Sequence, residues 1–155
     1  MKTGPMGGGG PSPCSVADDA NAEKAAAALI GAKYRNAGQV CISPTRFLVQ
    51  SKIYDSFMEK FVDGVKALKV GNGLEEGVNV GPPIGPRRLE AVEAFLEAAV
   101  SKGAQVEPGG NRRGTPGYFY SPPALSPVTP HIRALTPDPF APLPSVKPFV
   151  DLDVR

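Results

Sequence analysis

The stretch AEKAAAALIGAKYRNAGQVCISPTRFLVQ, residues 22–50, places a helix-forming segment, a small polar turn and a β-forming run in succession. Residues 22–34 are dominated by alanine, leucine and lysine, which lose little freedom in a helix. Asp18, Asp19 and Asn21 precede them and are good N-cap types. The alanine-rich face predicts close packing against a neighbour. The helix is predicted to stop near Asn36-Ala37-Gly38, because Gly38 can take the left-handed conformation that closes a helix. Cys41 follows three residues later, then Pro44, then TRFLVQ, a run of strand type.

The same alternation continues outward. CSVADD (14–19) reads as a short strand. From Ile53 to Leu68 the spacing is helical, with Tyr54, Met58, Phe61, Val65 and Leu68 on one face. KVGNGLEEGVNVGPPIGP is a turn-rich loop. A further helix is predicted from about Arg87 to Lys102, with Leu89, Val92, Leu96 and Ala99 as its buried stripe and Gly103 as its stop. AQVEPGG reads as a short strand and turn, and GYFYSPPAL as an extended aromatic stretch. The last third is punctuated by proline, and only the middle of the chain is patterned like a folded protein. Helices alternating with short apolar strands predict an α/β domain with layered sheet and helices.

The totals bound the function. At 155 residues the chain suits one domain. A formal net charge of +2, with scattered basic residues, gives no electrostatic case for nucleic acid or an anionic membrane. No apolar run approaches the ~20 residues of a membrane span, and Lys2 is followed by no hydrophobic core of a signal peptide. Cys14 and Cys41 make no disulfide framework, so a reducing cytoplasm is the expected compartment. The 18 glycines and 18 prolines concentrate at residues 4–13, 71–86, 108–130 and 136–148. Residues 1–13 are expected to be a flexible Gly/Pro-rich terminus, and 14–155 the folded part.

Cys41 admits two readings. As a nucleophile it would act through its thiolate, favoured by nearby hydrogen-bond donors. A Gly-Gln turn would offer free backbone N–H groups to the sulfur and to an oxyanion formed on a carbonyl it attacks. Ala37 and Gly38 would leave room for that carbonyl. The other reading is a buried, inert cysteine, which the burial statistics of cysteine favour. His131, in the proline-rich segment, is the one histidine available for a Cys–His pair, and the inventory falls short of a zinc site. Gly7–Gly10 lacks the spacing and preceding strand of a dinucleotide-binding turn.

RNAGQVC, residues 35–41, resembles the active-site cysteine signature of the aldehyde dehydrogenase superfamily. Other segments resemble the family in the same order: SPCSVADDANAEKAAAALIGAKY before the cysteine, and SPTRFLVQSKIYDSFMEKFVDGVKALKVGNGL after it. GPPIGPRRLEAVEAFLEAAVSKGAQVEPGG, GYFYSPPAL, DPFAP and FVDLD continue the series, so the likeness runs from about Met6 onward. The resemblance implies much of a catalytic domain built on a parallel sheet with flanking helices. It implies oxidation of an aldehyde to an acid with NAD or NADP, Cys41 attacking the carbonyl through a thiohemiacetal and thioester. Asp138 stands where the family's glutamate binds the nicotinamide ribose, and Phe140 where its phenylalanine lies beside the nicotinamide. For Phe140 the alternative is core packing.

The sequence also departs from the family. The family's general base is a glutamate in E-L-G-G; here PMGGGG puts Pro5 at that position. Pro137 replaces a glutamate and Ala141 a glycine of the family pattern. The oxyanion asparagine and the nucleotide-binding fold are expected upstream of this segment, and further catalytic-domain elements, oligomerisation strands and substrate-facing loops beyond Arg155. The general run is similar to succinate-semialdehyde-type members, though Ser43 stands where many of those have a second cysteine. Two functions are therefore carried forward. One is the catalytic segment of an aldehyde dehydrogenase acting on a small-molecule aldehyde. The other is a truncated, non-catalytic remnant that partners other aldehyde dehydrogenase subunits.

Overall fold

The computed structural model describes residues 12–107, 109–114, 117–126 and 140–151. Among these residues five strands form one sheet in the order β1-β2-β5-β4-β3: β1 (Pro13–Val16), β2 (Arg46–Gln50), β3 (Gln105–Val106), β4 (Leu125–Ser126) and β5 (Ser145–Phe149). β1, β2, β5 and β4 run parallel, and β3 closes the edge antiparallel to β4. Three α-helices among the described residues accompany it: α1 (Ala22–Tyr34), α2 (Tyr54–Lys66) and α3 (Pro86–Ser101). The α/β class and the parallel sheet follow the alternation in the sequence, because parallel neighbours need a long crossover and α1 supplies one between β1 and β2.

α1 begins where its capping chemistry dictates. The Asn21 side chain accepts from the Lys24 amide at 2.9 Å. The helix does meet a neighbour closely, but through Ile30: a side-chain carbon placed on Gly64 of α2 would fall on Ile30 Cδ1, while of its alanines only Ala26 is buried and Ala27, Ala28 and Ala32 are exposed. α2 presents a different stripe from the one its spacing suggested. Phe57, Phe61 and Val65 are buried, while Tyr54, Met58 and Leu68 only flank the core. The reason is aromatic packing. Phe57 stacks on Phe61 at 5.5 Å and 14°, and Phe47 of β2 meets Phe61 edge-on at 5.5 Å and 85°. In α3, Leu89, Val92 and Ala99 are buried and Leu96 is half-buried.

β5 is the correction to the sequence reading. It lies in the proline-punctuated end, which was expected to be unpatterned, yet it is central in the sheet and contains Pro148. Alternation along the strand explains the tolerance. The Ser145 N–H faces β2, donating to the Thr45 carbonyl at 3.1 Å, while the neighbouring Pro144 carbonyl accepts from Leu125 on the β4 side. Pro148 therefore turns its missing donor toward the β4 side and away from β2; among the described residues β4 pairs with β5 at Leu125↔Ser145.

Among the described residues no helix is long and apolar enough to cross a membrane.

Candidate functional site

The site begins where α1 ends. Tyr34 is fully buried, and its hydroxyl donates to the Pro123 carbonyl at 2.9 Å, pinning the helix end to a loop distant in sequence. Burial holds its pKa well above the ordinary tyrosine value. The chain then turns left-handed at three successive residues: Asn36 (φ 52°), Ala37 (φ 54°) and Gly38 (φ 74°). The sequence pointed to this conformation only at Gly38. For Asn36 and Ala37 it costs roughly 1–2 kcal/mol per residue, so surrounding contacts must hold it.

Two sets of contacts do so. Gly38 is buried with its α-carbon against the Ala141 carbonyl, where no side-chain atom fits. Gln39 folds back over the turn: its backbone N–H and side-chain Nε2 both donate to the Asn36 carbonyl, at 3.1 and 3.0 Å. Asn36 Nδ2 returns a bond to the Gln39 carbonyl at 3.2 Å, and Gln39 Oε1 accepts the Ile84 amide at 3.1 Å.

Cys41 follows at the corner of a tight turn. The Ser43 N–H closes it on the Val40 carbonyl at 2.8 Å, so the N–H groups of Cys41 and Ile42 are not consumed by the closure. Cys41 is exposed, and so is Ile42 at 69%. The buried-cysteine reading thus gives way to an accessible thiol. Cys14, half-buried in β1 against the core, is the more ordinary cysteine. Ser43 is buried and its hydroxyl donates to the Lys33 carbonyl at 3.4 Å, tying the turn to α1.

Two expectations about this turn are corrected. The Gln39 N–H is bonded to Asn36 and is not free for an oxyanion; the donors of this turn without an acceptor among the described residues lie at the Cys41 corner instead. Ala37 and Gly38 do not open space for a carbonyl, because both are buried and the backbone at Ala141 fills it.

The second predicted segment is brought to the same place. Phe140 precedes Ala141, the residue that abuts Gly38, and is 40% exposed, which excludes simple core packing. Ala141 itself is fully buried among Leu89, Val92, Tyr120 and Leu143, so its methyl is accommodated where the family pattern has glycine. The Cys41 turn leads into β2 and the Phe140 loop into β5, at the same end of adjacent parallel strands. The Thr45 carbonyl joins them, accepting both the N–H and the hydroxyl of Ser145, at 3.1 and 3.2 Å. Asp138, Pro5 and His131 lie outside the described residues. Sequence reasoning missed the side-chain roles of Tyr34, Gln39 and Ser43. Gln39 carried a signal, a polar amide between glycine and cysteine, but its partner at Ile84 is 45 residues away. Among the described residues no cluster of His, Cys, Asp and Glu could hold a metal ion.

The fold recurs in known proteins. The aldehyde dehydrogenase family matches residues 1–154. Mouse mitochondrial succinate-semialdehyde dehydrogenase is 45% identical over 142 residues, 91% of this chain and 27% of its own length. The crystal structure of succinate-semialdehyde dehydrogenase from Burkholderia pseudomallei superposes with a TM-score of 0.87 at 36% identity, covering 92% of this chain and 30% of that one. Betaine aldehyde dehydrogenase from Staphylococcus aureus, in complex with NAD+, gives 0.86 at 31% identity over 92% of this chain and 29% of that one. The chain spans less than a third of the length of these relatives. With the family matching residues 1–154 and the α/β fold with its parallel sheet shared with these structures, the chain belongs to the aldehyde dehydrogenase family.

Proposed function

We propose that this chain carries the nucleophilic segment of an NAD(P)-dependent aldehyde dehydrogenase, with Cys41 as the attacking thiol. The observation that carries the reading is the exposed Cys41 at the corner of a turn that is braced from behind by the left-handed segment and the Ala141 backbone. Such bracing holds a sulfur at one place relative to an incoming carbonyl.

The Cys41 thiolate adds to the aldehyde carbon, forming a C–S bond while the carbonyl π pair moves onto oxygen. The N–H groups at the Cys41 corner are suited to receive that oxyanion. Oxidised nicotinamide, when bound, supplies the acceptor for the hydride that leaves this carbon. Of the described residues, Phe140 fits that group, since its exposed ring stands in the loop packed against the cysteine turn. Asp138, next to that loop in sequence, is proposed for the ribose hydroxyls. The thioester left on Cys41 is released by water, giving the carboxylic acid and the free thiol. Pro5, at the position of the family's base, can accept no proton. Release is therefore the step expected to limit turnover, by about 10²–10⁴-fold.

Succinate semialdehyde is the first aldehyde to try, because the mouse and Burkholderia relatives are named for it. The purified chain is incubated with NAD+ or NADP+ and a panel of aldehydes, and reduced nicotinamide is followed. Because the chain spans less than a third of its relatives' length, little turnover is expected of it alone; any reduction that stops at a burst no larger than the Cys41 concentration and is abolished in Cys41→Ser supports the reading. No reduction, with Cys41 alkylating only at the rate of a free thiol, would sink the enzymatic reading and favour a non-catalytic partner of other subunits.

A further inference from the structure

Gln39 uses both ends of one side-chain amide on two different segments. Its Nε2 donates to the Asn36 carbonyl at 3.0 Å, inside the left-handed turn. Its Oε1 accepts the Ile84 amide at 3.1 Å, in the loop that leads directly into α3. The Asn36 carbonyl also receives the Gln39 backbone N–H, and Asn36 Nδ2 donates back to the Gln39 carbonyl. The turn is thus closed on itself, and beside the backbone contact of Gly38 with Ala141 it is fastened through the Gln39 amide to the loop before α3. Ala37, at its centre, has a left-handed backbone and no polar side chain with which to stabilise it. Cys41 lies two residues beyond Gln39, on the exposed corner that inherits its direction from this turn.

We infer that Gln39 is a positioning residue for Cys41: its amide clamps the left-handed turn to the 81–85 loop and so fixes where the sulfur stands. The inference rests on the reading of Cys41 as a nucleophile. The clamp needs a donor and an acceptor on one planar group of this length. Glutamate keeps an acceptor for Ile84 but sets a second oxygen against the Asn36 carbonyl. Leucine keeps the bulk and loses both bonds. The two variants therefore separate the halves of the clamp.

The test uses the 155-residue chain with Cys14→Ser, so that Cys41 is the one thiol. Acylation by p-nitrophenyl acetate, which needs no cofactor, reports carbonyl attack as a stoichiometric release of p-nitrophenolate. Amide hydrogen exchange and the backbone resonances of Cys41 and Ile84 report the clamp itself. In Gln39→Leu, Ile84 protection is expected to be lost, the Cys41 resonance to shift or broaden, and acylation to slow by about tenfold or more. In Gln39→Glu, Ile84 is expected to stay protected while the Cys41 resonance and the acylation rate still change. A purely structural role would lower thermal stability in both variants without this split. Gln39→Leu with an unmoved Cys41 resonance and an acylation rate within twofold of its parent would overturn the inference. Release of p-nitrophenolate that persists in Cys41→Ser would instead defeat the nucleophile reading. The Cys41 and Ile84 resonances would then still decide whether the clamp orients the turn.

Discussion

Gly38 and Ala141 meet backbone to backbone: a β-carbon on Gly38 would lie against the carbonyl of Ala141 and 2.8 Å from the Pro142 nitrogen. The contact joins the cysteine turn to the Phe140 loop, and backbone on both sides leaves nothing flexible to give way. Gly38→Ala also meets a left-handed φ of 74°. It is expected to destabilise the fold by about 2–4 kcal/mol, the sum of strain and overpacking. Gly31, inside α1 with open space around it, is the control. Gly31→Ala should stabilise the chain by about 0.5–1 kcal/mol through helix propensity. Urea unfolding of the two variants checks both signs.

The two cysteines should separate in a labelling experiment. Cys41 is exposed on its turn, and Cys14 is half-buried in β1 with its neighbours packed on the core. Brief treatment of the native chain with iodoacetamide is expected to modify Cys41 first, with Cys14 reaching comparable labelling only in denaturant. Peptide mass spectrometry reads the order, and equal native labelling would contradict the placement of Cys41.

Phenylalanine content alone does not tell which rings hold the fold. Phe57 has no exposed surface and stacks on Phe61, whereas Phe140 is 40% exposed. Phe57→Ala is expected to cost about 3–5 kcal/mol, and Phe140→Ala less than about 1 kcal/mol. If the Phe140 variant proved as destabilised as the Phe57 variant, its ring would belong to the core and not to a binding surface.

Stability should fall at alkaline pH, and Tyr34 should account for part of the fall. Burial raises Tyr34 well above the usual tyrosine pKa, and Tyr120 is pushed up to about 12 by burial and by the charge of Glu93. In the unfolded chain both ionise near pH 10. Above that point the unfolded state binds fewer protons than the native state, so the contribution is complete below about pH 10 and is lost as pH rises through the native values. Tyr34→Phe is expected to flatten this decline. At neutral pH it should cost about 1–3 kcal/mol, because the Pro123 carbonyl loses its buried donor. Unfolding free energies measured at neutral pH and at about pH 11 test both parts.

Local chemistry made several elements legible. The Asn21 cap, the alanine-rich run of α1, the strand-forming RFLVQ and the Gly103 stop after α3 each act within a few residues, and each lies where the sequence reading put it. The cysteine turn was legible as a turn and as a family signature for the same reason.

What the sequence by itself determined is therefore the three α-helices, the strands β1, β2 and β3, their α/β alternation and the position of Cys41 between α1 and β2. The tertiary structure decided the rest. It made β5 a central strand despite Pro148, whose missing donor turns away from β2, the neighbour with which β5 is in register from Ser145 to Phe149. It chose Phe57 over Met58 as a core residue through stacking on Phe61. It spent the room beside Gly38 on Ala141 and left Cys41 exposed. Each of these depends on partners far apart in the chain, such as Gln39 with Ile84 or Tyr34 with Pro123, whose meeting no local propensity encodes.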